Sequence, residues 1–166
     1  HRIFAVALAP LQDFAALGIG CGGGRTIAAL QRFRMNVNWT GWDISKVGIE
    51  KAHERYGQFA KFEIQDVCDL SHRVIPMFDF ILCTQSLEHM SFPLNAIQRM
   101  KNILSEDGTI FITVPISGSA LDKNKCNLHY VTYERSDFIG MFPSPQWQLE
   151  MFDADTQRLV VIATWK

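Results

Sequence analysis

The sequence predicts a doubly wound α/β domain: a mostly parallel, seven-stranded sheet with helices on both faces, finished by an antiparallel C-terminal hairpin. Three observations carry that expectation. The apolar run Phe14-Ala-Ala-Leu-Gly-Ile19 stops in the glycine cluster Gly20-Cys-Gly-Gly-Gly24 and gives way at once to a helical pattern, the punctuation of a strand that turns sharply into a helix. Strand-like and helix-like segments then alternate as far as Val114, as they do in sheets built from crossover units. Two β-rich runs close the chain with only Asp153-Ala-Asp-Thr-Gln157 between them, too short a link for a crossover.

Taken in order, Arg2–Gln12 is apolar around Pro10, and its pattern fits a lead-in helix or an extra strand equally. After the first strand, Thr26–Phe33 has Ile27, Leu30 and Phe33 at helical spacing. Val37–Trp42 is the second strand. Asp43-Ile-Ser45 follows and supplies an N-cap serine for the helix Lys46–Tyr56, which Gly57 ends. Phe59–Ile64 makes the third strand, and Asp69–Pro76 is a polar connector. Phe78–Cys83 is almost wholly apolar, as a central parallel strand buried on both faces must be. Pro93 opens a helix whose apolar face is Ala96, Ile97, Met100 and Leu104. Glu106-Asp-Gly108 turns into the fifth strand, Thr109–Val114. A last helix is expected over Tyr133–Phe142, ahead of the hairpin strands Trp147–Phe152 and Leu159–Trp165.

The chain has 166 residues, room for one domain of ordinary size, and a formal net charge of −1, which offers no basic face for nucleic acid. Cys21, Cys68, Cys83 and Cys126 form no C-x-x-C pair, so neither a zinc cluster nor a disulfide framework is expected, and a reducing, cytoplasmic setting fits. No apolar run has the ~18 residues needed to cross a bilayer, so no membrane partner is expected. The opening His1 points to a tag remnant or to a domain cut from a larger protein.

The glycine cluster makes Gly20, Gly22 and Gly24 the floor of a nucleotide pocket, since residues without Cβ reach φ > 0 and let a ligand lie on bare backbone. Asp43 closes the next strand about twenty residues on, the distance at which a ribose-binding carboxylate is expected; its alternative role is that of a turn or helix-start residue. Asp66, after the third strand, is either a ligand-binding carboxylate or a solvated loop residue. Cys21 has no neighbouring base and reads better as a small filler of the turn than as a nucleophile. Trp39, Trp42, Trp147 and Trp165 fall on strands or their ends and read as packing.

The ordered set of motifs resembles the class I S-adenosylmethionine-dependent methyltransferases of small-molecule type, from Phe14 to the end of the chain. Gly18-Ile-Gly-Cys-Gly-Gly-Gly24 resembles their first motif, Gly41-Trp-Asp43-Ile-Ser45 the second, Gln65-Asp66-Val67 the third, and Phe78–Cys83 running into Leu87-Glu-His89 the fourth. The resemblance implies a Rossmann-like fold over residues 1–166 with a short or missing N-terminal cap, S-adenosyl-L-methionine as cofactor, and methyl transfer to an oxygen, nitrogen or carbon of a small molecule. It also implies roles. Gly18, Gly20, Cys21 and Gly22 would lie toward the methionyl part, Asp43 would hold the ribose, and Ile44 would pack on adenine. Asp66 and Val67 would read the adenine edge, while Cys83 and Thr84 would border the reacting methyl. His89 and His129 are the candidate proton acceptors, their ordinary pKa lying near working pH. Where Gly18 stands the family usually has an acidic residue, so a non-catalytic module that keeps the fold for binding or assembly is the alternative. A nicotinamide-dependent oxidoreductase would share the glycine turn and Asp43 but not the Asp66 motif or the hairpin. Assembly into a homo-oligomer or a larger protein is compatible with the same pattern.

Gln85-Ser-Leu-Glu88-His89 also resembles the Glu-x-x-Glu-His metal motif of some methyltransferases, with His129 as a distant ligand, but Gln85 replaces the first glutamate and removes a charge that hard divalent cations favour. No metal is therefore expected. Exhaustive chelation should leave cofactor affinity unchanged in a calorimetric titration; a loss that Mg²⁺ restores would contradict this.

Overall fold

The computed structural model describes residues 14–33, 37–71, 76–116 and 131–166; Arg2–Gln12, His129 and Cys126 lie outside them. The strands are β1 (Phe14–Ile19), β2 (Val37–Asp43), β3 (Ala60–Ile64), β4 (Phe78–Thr84), β5 (Leu104–Pro115), β6 (Trp147–Asp153) and β7 (Arg158–Trp165). Among the described residues the helices are α1 (Arg25–Gln31), α2 (Lys46–Tyr56), α3 (Pro93–Asn102) and α4 (Arg135–Met141), with a 3-10 turn at Leu87–His89. They form one seven-stranded sheet in the order β3-β2-β1-β4-β5-β7-β6. β1 to β5 run parallel, whereas β7 pairs antiparallel with both β5 and β6. The expected hairpin is present, with the last strand inserted so that β6 is the edge. Among the described residues no helix is long and apolar enough to cross a membrane.

The alternation of side chains along each strand sorts the core into two layers. Leu17, Ile81, Cys83, Ile110 and Ile112 face α3 and α4, where they meet Ala96, Ile97, Met100 and Phe138. Ala16, Phe80, Leu82 and Phe111 face the other way, toward Ile27 of α1 and Ile49 and Ala52 of α2. Trp39 meets Phe80 edge-on at 6.2 Å, and Trp42 meets Phe78 edge-on at 6.0 Å, so these tryptophans are core. Ser45 caps α2 as expected, its Oγ accepting from the Gly48 amide at 3.1 Å.

The first helix ends at Gln31, which leaves Phe33 beyond it and 70% exposed instead of on its apolar face, and two further boundaries move a residue into another element. β5 begins at Leu104, which pairs with Phe78, while Thr109 pairs with Phe80; the intervening Ser105–Gly108 is looped out with Asp107 at φ 58°. The predicted turn is therefore a bulge within a longer strand, and it takes Leu104 from the end of α3. At the last helix, Tyr133 instead bridges to Ile116, and the helix starts one residue after Glu134, which forms a capping box with Asp137.

Gly18 and Gly41 lie directly opposite each other on β1 and β2. With no Cβ on either, they open a trough into which Ile27 and Phe62 settle. A Cβ at Gly41 would stand 2.6 Å from Phe62 Cδ1, 2.9 Å from Cys21 Sγ and 3.0 Å from Ile27 Cδ1. Gly41→Ala should therefore cost about 1–3 kcal/mol through overpacking, seen as a lower urea midpoint at unchanged slope. Gly140→Ala, whose Cβ would enter open space on α4, should leave the midpoint unchanged or raise it.

Candidate functional site

The site forms where the chain changes direction in the sheet, between β1 and β4, and strands on either side end at the same edge. The turn after β1 has Gly20, Gly22 and Gly24 at φ 63°, 50° and 78°, a left-handed run that residues with side chains resist. It is tied to β2 twice. The Cys21 amide donates to the Trp42 carbonyl at 3.1 Å, and the Gly22 amide donates to Asp43 Oδ2 at 2.7 Å. The other carboxylate oxygen of Asp43 accepts from the Ser45 amide at 2.8 Å, so one side chain holds both the glycine turn and the start of α2. β3 joins through the Gln65 amide, which donates to the Asp43 carbonyl at 3.0 Å. Beyond it, Asp66 Oδ1 accepts from the Cys68 amide at 2.8 Å.

These ends surround a cavity of about 410 Å³, lined by Gly20, Asp43, Ile44, Asp66, Val67 and His89 among others. Its size lies within the range of small-molecule sites. The donor set fits an adenosyl group. An ionised carboxylate has about four lone-pair sites, so Asp43 can serve two backbone amides and still accept from a vicinal diol. Ile44 is 73% exposed and Phe92 is 65% exposed, and both line this cavity, giving apolar surface at its mouth where an aromatic base would otherwise meet water.

Of the residues singled out from sequence, Gly20, Asp43, Ile44, Asp66, Val67 and His89 are brought together here. Others are placed elsewhere. Gly18 is buried on the α1 side of β1, where a Cβ would meet Ile27 Cδ1 at 2.8 Å, and it does not line the cavity. Cys83 does not line it either: it is fully buried in the core layer under α3, and burial, then nearby Glu88, pushes its thiol well above the usual range. Thr84 is half-buried at the end of β4, and Cys21 and Gly22 lie in the turn beside the cavity. Burial, with Asp43 second, pushes the Cys21 thiol up to about 12, so it stays protonated and fills the turn. His89 is exposed at the rim, its Nε2 4.0 Å from Glu88 Oε1, whereas Glu88 itself is buried. Tyr133 is only 3% exposed and donates to the Leu87 carbonyl at 3.3 Å. Burial chiefly, helped by Cys83 and Glu88, raises its phenol, which remains a structural donor. Among the described residues no group of three or more His, Cys, Asp or Glu is arranged to hold a metal ion.

Sequence reasoning missed Gln85, Ser86 and Phe92, all of which line the cavity. Gln85 and Ser86 follow directly on the central strand β4, and the carboxyl end of a central parallel strand is where open α/β sheets bind ligands, so the signal was there. Asp43→Ala removes the acceptor of two backbone amides and should cost about 1–3 kcal/mol, measured by urea unfolding. Asp43→Asn, which keeps one acceptor oxygen, should cost less.

A family model described as a methyltransferase domain matches residues 12–143. The ubiquinone biosynthesis O-methyltransferase of Xanthomonas campestris pv. campestris is 27% identical over 111 residues, covering 66% of this chain and 46% of that protein. The chain thus spans about half the length of the curated relatives it matches. Among solved structures, the YcgJ protein of Bacillus subtilis superposes with a TM-score of 0.79 at 17% identity, covering 99% of this chain and 97% of that one. An S-adenosylmethionine-dependent methyltransferase from Clostridium acetobutylicum superposes with a TM-score of 0.75 at 13% identity, covering 93% and 85%. With the sheet order, the glycine turn and the family match all in agreement, the chain belongs to the class I S-adenosylmethionine-dependent methyltransferases.

Proposed function

We propose that this protein transfers a methyl group from S-adenosylmethionine to an oxygen, nitrogen or carbon atom of a small molecule. The observation that carries the proposal is a single cavity uniting Gly20, Asp43, Asp66 and Val67 from the ends of β1, β2 and β3. Asp43 would hold the ribose hydroxyls, since charge-assisted bonds to an ionised carboxylate are about twice as strong as neutral ones. Asp66 would accept from the adenine amino group beside the Val67 amide, with Ile44 against the base. The cofactor supplies a methyl group made electrophilic by its sulfonium. The task left to the chain is to hold two reactants in line and keep water out, which alone supplies a large part of the rate.

His89, at the cavity rim, is the described residue we assign to accept a proton from a hydroxyl or amine acceptor; the companion candidate His129 lies outside the described residues. The small-molecule acceptor is supported by the relatives, whose names describe O-methylation in ubiquinone biosynthesis. Calorimetric titration with S-adenosylmethionine and with S-adenosylhomocysteine should show saturable binding of both, lost in Asp43→Ala. No heat with either ligand would overturn the proposal and favour a non-catalytic module of the same fold.

A further inference from the structure

We propose that the chain pairs with a second copy of itself along β6, the two sheets joining edge to edge in an antiparallel register centred on Leu149. The inference is independent of what the cavity binds. An edge strand leaves a row of backbone donors and acceptors unpaired, and proteins that stay monomeric blunt such edges with charge, a short strand or a covering group. The sheet has two edges, β3 and β6, and they are treated differently. β3 is five residues long, carries Lys61 and Glu63, and has its Phe62 carbonyl taken by His53, whose Nε2 donates to it at 2.7 Å. β6 is seven residues long, and before the terminal Asp153 its only charge is Glu150.

The pairing with β7 fixes which backbone groups of β6 are left over. At its two ends the Lys166 amide donates to the Gln146 carbonyl at 3.0 Å and the Ala154 amide to the Arg158 carbonyl at 2.8 Å. With Gln148 opposite Thr164 and Glu150 opposite Ile162 in one unbroken register, the even-numbered residues exchange their bonds with β7. The N–H and C=O groups of Trp147, Leu149 and Met151 therefore point away from the sheet, and among the described residues they have no hydrogen-bond partner. Their side chains lie on the α3 and α4 face, where Trp147 is buried against Phe142 and Trp165 while Leu149 and Met151 are half-buried. A second β6 turned about Leu149 meets this edge in kind. Leu149 faces its own counterpart and Trp147 faces the partner's Met151, so outward groups meet outward groups, and these three pairs exchange about six backbone hydrogen bonds. On the other face Gln148 and Glu150 are exposed, and Gln148 Nε2 donates to Glu150 Oε1 within the strand at 3.3 Å. In this register Gln148 falls opposite the partner's Glu150 at the closer, non-hydrogen-bonded position, so an amide meets a carboxylate twice. The next register the backbone allows sets Glu150 against the partner's Glu150, and the one after sets Leu149 against the partner's Asp153, so the side chains select the first. β5 and β7 separate β6 from the strands that end at the cavity, which leaves both cavities open.

Sedimentation equilibrium of the full chain should show a monomer–dimer equilibrium between about 1 and about 100 µM. Gln148→Glu sets like charges opposite each other twice and should weaken the dimer about tenfold. Gln148→Glu combined with Glu150→Gln restores an amide opposite a carboxylate and should return the affinity to within about twofold of the original. Both positions are exposed, so urea midpoints measured at monomeric concentration should stay unchanged, which separates pairing from folding. The outward amides of Leu149 and Met151 should exchange their hydrogens more slowly as concentration rises. A chain that stays monomeric throughout, a dimer indifferent to Gln148→Glu, or one weakened instead by Lys61→Glu on β3 overturns the proposal.

Discussion

The carboxylate of Asp43 is the joint on which this structure turns. One oxygen takes the Gly22 amide at 2.7 Å and the other takes the Ser45 amide at 2.8 Å. These are donors that a glycine turn and a helix start would otherwise leave without an acceptor. Because the charge is shared with amides rather than with a cation, the carboxylate keeps its negative character toward the cavity. A single residue thereby fixes the backbone that forms the floor and presents the group that faces the ligand.

Beneath that joint the sheet is held by a different constraint. Gly18 and Gly41 face each other across β1 and β2, and the volume they leave is taken by Ile27 and Phe62. The ring of Phe62 also reaches Gly24, where a Cβ would be 2.9 Å from its Cζ, so one aromatic spans from the strand to the start of α1. An acidic side chain at position 18 would enter apolar packing, and burying an unpaired charge there is far costlier than leaving it out. Glycine at position 18 is therefore matched by its surroundings, where Ile27 fills the space a side chain would take.

The two ends of the sheet divide the work. The carboxyl ends of β1 to β4 gather the glycine turn, two carboxylates, an amide and a hydroxyl around one cavity. The hairpin β6–β7 extends the sheet past β5 and completes the core layer with Trp147, Val161 and Ala163. Placement of the ligand groups depends on strand order, and strand order depends on burying both faces at once.

How much of this was legible in one dimension follows from what each feature depends on. Strand and helix positions from Phe14 to Trp165 could be read because hydrophobic period, glycine and proline are local signals. The N-cap at Ser45 and the Asp43 and Asp66 strand ends were visible for the same reason. Where the reading slipped, a distant partner had decided. Leu104 left its helix because Phe78 offers it a ladder position, and Tyr133 left another because Ile116 does. Gly18 was grouped with the binding residues by its neighbours in sequence, yet its direction is set by the pleat and by Ile27 across the layer. Gln85 and Ser86 entered the sequence reading only through a resemblance to a metal motif; what brings them to the glycine turn is that β4 lies beside β1, a neighbour separated by sixty or more positions in the chain. The sequence by itself determined the fold class and the chemistry of the strand ends, since both follow from local pattern. Which of those groups share a cavity was decided only by the tertiary structure, because contact between strand ends is a property of sheet order and not of spacing.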